Sequence, residues 1–87
     1  MVEEFVGHKV VVDLKSPFVC LGTLQRVDDW FLELRGADLH DLRDTQTTRE
    51  NYVVASRSTG IKRNRKRVLV VRTDIVAIGK FDDIVAE

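Results

Sequence analysis

The chain has 87 residues, 44% of them apolar and 32% charged, with a formal net charge of zero. That length has room for one core, so a single domain over residues 1–87 is expected, and the composition is that of a folded protein rather than a disordered tail. A chain-wide basic excess is excluded by the zero balance, a disulfide framework by the lone cysteine (Cys20), and a membrane-spanning helix by apolar stretches of only a few residues.

In chain order, residues 2–6 alternate acidic and apolar types and read as a short helical turn or stub, broken by Gly7. Val10, Val12 and Leu14 then alternate with Lys9, Asp13 and Lys15, the period of a half-buried strand. Ser16-Pro17 signals a turn. Residues 18–27 form a second strand with Gly22 inside it, where a flat strand is weakened but a sharp bend or close backbone approach is permitted. Cys20, between Val19 and Leu21, reads as a small core residue there. Asp28-Asp29 marks a tight turn. A third strand follows, with Trp30, Leu32 and Leu34 on one side, Phe31, Glu33 and Arg35 on the other, and Gly36 at its end.

Residues 37–48 are polar and unpatterned, which predicts a long loop. Thr47 followed by Glu50 matches a helix capping box, and Gly60 is a suitable stop, so a helix is expected around residues 48–59. The competing reading is a strand at residues 52–55, because Tyr and Val favour sheets. Residues 62–66 are a charged loop or strand entry. Residues 68–72 are nearly continuously apolar, as in a strand buried on both faces. Thr73-Asp74 interrupts the run before a last short strand at residues 75–78, and an acidic tail closes the chain. The fold class is therefore mainly β, a small five-stranded antiparallel barrel with strong bends.

Charge is unevenly spread. Residues 28–50 hold seven acids and three bases, whereas residues 57–72 hold seven bases and no acid. Within the latter, Lys62, Arg63, Arg65, Lys66 and Arg67 place five charges in six residues, enough to neutralise phosphates with salt-sensitive, sequence-independent affinity. The same run equally suits a solvated loop paired with the acidic segment of its own or a neighbouring subunit. Asp38, His40, Asp41 and Asp44 are metal-ligand residue types, but the stretch supplies too few convergent ligands for a site, and His8 is remote in sequence. Cys20 has no adjacent base, Ser56 and Ser58 lie in no nucleophile motif, and there is no phosphate-cradling glycine loop, so neither an enzyme nor a cofactor is expected.

The order of these elements, with Gly22, Leu24, Asp28, Leu32 and Leu34 in the first half and Val71-Arg72-Thr73 followed by residues 75–78 in the second, resembles the two motifs of the Sm and Sm-like proteins. The resemblance covers about half the chain. No Asn stands where the family reads a base edge, Thr73 stands in place of the second motif's glycine, and residues 37–60 make a long connection, as in a divergent member with a helix inserted between its third and fourth strands. Membership would imply a homo-oligomeric ring, of six or seven copies, that binds single-stranded RNA without catalysis. Asp28 and Arg72 carry over by position, and Trp30 is the nearest candidate to stack on a base. Each has a plainer reading: Asp28 as a turn cap, Trp30 as a core residue in register with Leu32 and Leu34, and Arg72 as a solvated or ion-paired strand end. The rival function is a barrel serving only assembly or protein interaction. With no targeting motif visible at Met1, cytoplasm is the expected compartment.

Overall fold

The computed structural model describes residues 1–44 and 46–85. Runs rich in valine and other apolar residues produce β1 (Lys9–Leu14) and β2 (Phe18–Val27), which pair antiparallel with Val12 opposite Cys20. β3 (Phe31–Asp41) pairs with β2, β4 (Arg65–Val71) with β3, and β5 (Ile75–Lys80) with β1, all antiparallel. The strand order is β4-β3-β2-β1-β5. β4 and β5 thus stand at opposite margins of the sheet, yet only a 3-10 turn, Arg72–Asp74, joins them. A flat sheet cannot satisfy both facts, so the five strands must curl round until the margins meet, which makes the expected barrel. A second 3-10 turn, Val2–Phe5, precedes β1.

Two glycines allow the curl. A Cβ on Gly22 would lie 3.1 Å from the Cα and Cβ of Ala37 and 3.2 Å from the carbonyl oxygen of Arg35, so a side chain there would push β2 and β3 apart by a few tenths of an ångström. Gly36 has φ +55°, and the β2–β3 register shifts between Leu21 and Thr23 across this point. The sequence reading ended β3 at Gly36 and made residues 37–48 a loop. Instead the left-handed glycine acts as a bulge: it bends the strand, and pairing resumes through Asp41 with Leu39 opposite Cys20.

Inside the barrel, Val10, Val12, Leu14, Cys20, Leu24, Leu32, Leu34, Ala37 and Val70 form the main core. The helix expected after residue 48 is present as α1 (Arg49–Thr59), which removes the strand alternative. Its cap lies one residue beyond the expected Thr47: the Thr48 hydroxyl accepts a hydrogen bond from the Asn51 N–H, and Gly60 ends the helix at φ +92°. Val53 of α1 and Phe81 cover Val11, Val19 and Leu21 on the sheet's other face, so β2 is buried on both sides. β4 is not. Val70 is buried, but Leu69 and Val71 are 44% and 47% exposed. The continuous apolar run suggests a strand covered on both faces; among the described residues α1 and Phe81 cover Val11, Val19 and Leu21 instead and leave the outer side of β4 open.

Candidate nucleic-acid interface

The two sequence motifs meet at one end of the barrel. In the β2–β3 turn, one Asp28 carboxylate oxygen accepts from the backbone N–H groups of Trp30 (2.8 Å) and Phe31 (2.7 Å), while the Asp28 N–H donates to the Phe31 carbonyl (3.1 Å). The first two bonds hold the Asp28 carboxyl below its usual range, because both donors stabilise the ionised form. The turn-cap reading of Asp28 is therefore met. Trp30 lies in this turn rather than in β3, and it is 70% exposed, which overturns the core reading that rested on its register with Leu32 and Leu34. From the β4–β5 connection, the Arg72 N–H donates to the Trp30 carbonyl (2.9 Å) and the Arg72 guanidinium to the Asp28 carbonyl (2.6 Å). Asp28 and Trp30, with Arg72 from 44 residues beyond Asp28 in the chain, form one constellation. Glu3, Phe5 and Ile78 share a shallow recess with Arg72 on its other side.

The basic run lies elsewhere. From Arg65 to Val71 a strand of this kind spans about 20 Å at roughly 3.3 Å per residue, so Lys62, Arg63, Arg65 and Lys66 occupy the opposite end of β4 from Arg72. The Arg63 side chain lies against Gly36, Arg65 donates to the Asn64 carbonyl (3.0 Å), and Lys62 and Lys66 are exposed. Among the described residues Arg67 is the one member of the run in an ion pair, donating through Nε to Glu33 at 2.8 Å.

Asn64, in the middle of the run, fixes its position. Its side-chain amide pairs with the backbone of Leu39, accepting from the N–H (3.0 Å) and donating to the carbonyl (3.1 Å), and it also donates to Asp38 (3.1 Å). The Tyr52 hydroxyl of α1 donates to the other oxygen of Asp38, and the Tyr52 ring stacks on His40 at 3.7 Å. Burial, then the bond to Asp38, raises the Tyr52 hydroxyl above its ordinary value. Asp41 accepts from Arg43, which pulls its carboxyl down to about 2. The acidic stretch that carried metal-ligand residue types thus spends Asp38 and His40 on tying α1 and the basic run to β3 and Asp41 on its neighbour Arg43, and the described residues hold no cluster of metal-ligating side chains.

One group escaped the sequence reading altogether. Glu33 is only 3% exposed, and its two carboxylate oxygens are bound by Arg26 (Nε, 2.8 Å), Arg67 (Nε, 2.8 Å) and Arg35 (3.3 Å). These bonds, from Arg67 first and Arg26 next, hold the Glu33 carboxyl at about 2. The only prior signal was the outward parity of Glu33 and Arg35. Arg26 joins them because the register slips between Leu24 and Arg26, which no single-strand pattern reveals.

The sequence matches no family profile and no curated protein. Among solved structures, it is similar to an Sm-like protein from Archaeoglobus fulgidus, with a TM-score of 0.62 and 21% identity over 92% of this chain and 88% of that one. The fold is Sm-like. In this Sm-like barrel the two motifs expected from the resemblance lie at the β2–β3 and β4–β5 turns, joined by the Arg72–Asp28 bond. No helix among the described residues is long and apolar enough to cross a membrane.

Proposed function

We propose that this chain is a non-catalytic RNA-binding protein that assembles into a ring of six or seven identical copies and holds single-stranded RNA at the end of the barrel where its two motifs meet. The observation that carries the reading is the Arg72 guanidinium docked on the Asp28 carbonyl beside an open Trp30. An exposed indole set on a capped, rigid turn offers a flat face for a base, and such stacking contributes about 1–3 kcal/mol per base without sequence preference. Arg72 sits next to it with guanidinium N–H groups to spare for a phosphate or base edge, and Asp28 fixes the turn. Lys62, Arg63, Arg65, Lys66 and Arg67, at the other end of β4, add electrostatic attraction for the backbone.

Assembly is supported by the two sheet margins. β4 and β5 each have one unpaired edge, and such edges invite a strand from another chain. Pairing β4 of one copy with β5 of the next is head-to-tail, a contact that closes into a ring when the rotation per step allows it.

A labelled uridine-rich oligonucleotide titrated at low and moderate salt tests the binding site. The wild type is expected to bind, and Arg72→Ala and Trp30→Ala each to bind more weakly. Absence of binding even at low salt would favour the rival reading, a barrel for assembly alone. Light scattering tests the ring: a mass of six or seven copies is expected, and a strict monomer would remove it.

A further inference from the structure

The outer face of the β3–β4 ribbon carries more arginine than its folding requires. Phe31 stands opposite Val71, Glu33 opposite Leu69, and Arg35 opposite Arg67. The last pair sets like charges directly across from each other, an unfavourable arrangement unless something intervenes. Glu33 intervenes. Two guanidiniums already outweigh its single negative charge, yet a third, Arg35, also engages it. One buried carboxylate therefore orients three guanidiniums and leaves two positive charges uncompensated. Because Arg26 and Arg67 bind Glu33 through Nε, their terminal amino groups have no protein partner among the described residues. Fixed, planar donors with free N–H groups are the geometry that phosphate oxygens accept.

Beside the arginines the surface turns apolar: Phe31, Leu69 and Val71 are 37%, 44% and 47% exposed. A small recess of about 120 Å³ joins the two parts, lined by Arg26, Val27, Asp28, Phe31, Glu33 and Leu69. It ends at Asp28, in the turn that carries Trp30 and accepts Arg72. Cationic donors alternating with an aromatic ring suit a polymer of alternating phosphates and bases. A protein partner would need only the apolar part.

We propose that this outer face is a second contact surface for single-stranded RNA, with Arg26, Arg35 and Arg67 on the phosphates and Phe31 and Leu69 under a base, so that one strand runs along β4 between the basic segment and the Arg72–Trp30 turn. The proposal rests on the RNA reading given above and extends it to residues outside both motifs.

The test compares wild type, Arg72→Ala and the double variant Arg26→Gln/Arg35→Gln, each titrated with a labelled uridine-rich oligonucleotide across a range of salt. Losing two phosphate contacts lowers the slope of log affinity against log salt by about 1.4. That decrease is expected in the double variant, whereas Arg72→Ala keeps its remaining contacts along the outer face. A double variant with wild-type affinity and slope, alongside a weakened Arg72→Ala, overturns the second surface and leaves the turn site standing. A wild type that binds no RNA overturns both readings. If the double variant keeps its RNA slope but changes its mass in light scattering, the face is an interface between copies and the proposal fails. Should the double variant not fold by circular dichroism, the wild type is crosslinked instead to an oligonucleotide containing 4-thiouridine. Adducts at Phe31 or Leu69 are expected, and adducts confined to Trp30 overturn the proposal.

Discussion

Neighbouring residues of β3 meet opposite conditions. Leu32 and Leu34 point into the barrel and are fully enclosed by β1, β2 and β4 side chains, whereas Phe31, Glu33 and Arg35 point outward into a charged, open surface. The inner set has a single physical task, to fill space without leaving voids, and its identity is constrained by volume. The outer set has only to keep the strand hydrated, which many residue types would do. An outer face with a buried carboxylate under three guanidiniums is therefore informative in a way that a tightly packed leucine is not: packing explains the leucine, and folding alone does not call for the excess arginine.

Substitutions that treat the two faces separately sharpen this contrast. Leu34→Ala opens a cavity at the centre of the barrel and is expected to lower stability by about 2–5 kcal/mol in denaturant unfolding; Arg35→Ala, next in the chain, is expected to stay within about 0.5 kcal/mol. Equal effects would erase the distinction between the faces. Gly22→Ala forces a methyl group against Ala37 and the Arg35 carbonyl, and should cost about 1–3 kcal/mol as overpacking between β2 and β3. Thr48→Ala removes the helix cap outside the barrel and is expected to cost about 1 kcal/mol, read as a shift in the unfolding midpoint at unchanged slope. The last test is on the acid side. Glu33 holds its proton less tightly in the folded state, at about 2 against an ordinary 4.5, so its contribution is complete above pH 4.5 and is lost as pH falls toward 2. Melting temperatures measured from pH 5 to pH 2 should therefore fall less steeply in Glu33→Gln than in the wild type, and identical slopes would mean that the arginines do not stabilise the Glu33 carboxylate in solution.

Where one face of a strand is buried and the other is not, the pattern was legible. In β3, Leu32 and Leu34 lie inward and Phe31 and Arg35 outward, as their parity places them; β1 and β2, covered on both faces, were bounded instead by Gly7, Ser16-Pro17 and Asp28-Asp29. The helix was legible to within one residue, because a threonine cap and a glycine stop are chemical signals that need no tertiary context. Residues 37–41 were not legible as strand, since a glycine at positive φ resembles an end as much as a bulge until its partner strand is known. Of the candidate site, Asp28 and Arg72 were singled out by position through the family resemblance, but the bond between them was not, since it joins turns 44 residues apart. The openness of Trp30 was not legible either, because parity with Leu32 fails one residue outside the strand. The arginines on Glu33 come from three different strands, and Arg26 reaches it through the register slip between Leu24 and Arg26, which carries no mark in the sequence.

Cys20 lies on β2 with no surface open to solvent, and burial pushes its thiol up to about 12. Such a sulfur is nearly all thiol and out of reach at neutral pH, so it is inert toward alkylating reagents for as long as the strands stay closed around it. Because it is the one cysteine in the chain, its rate of labelling is a native stopwatch for how often the barrel opens, readable by mass spectrometry on unmodified protein, alone or loaded with a ligand.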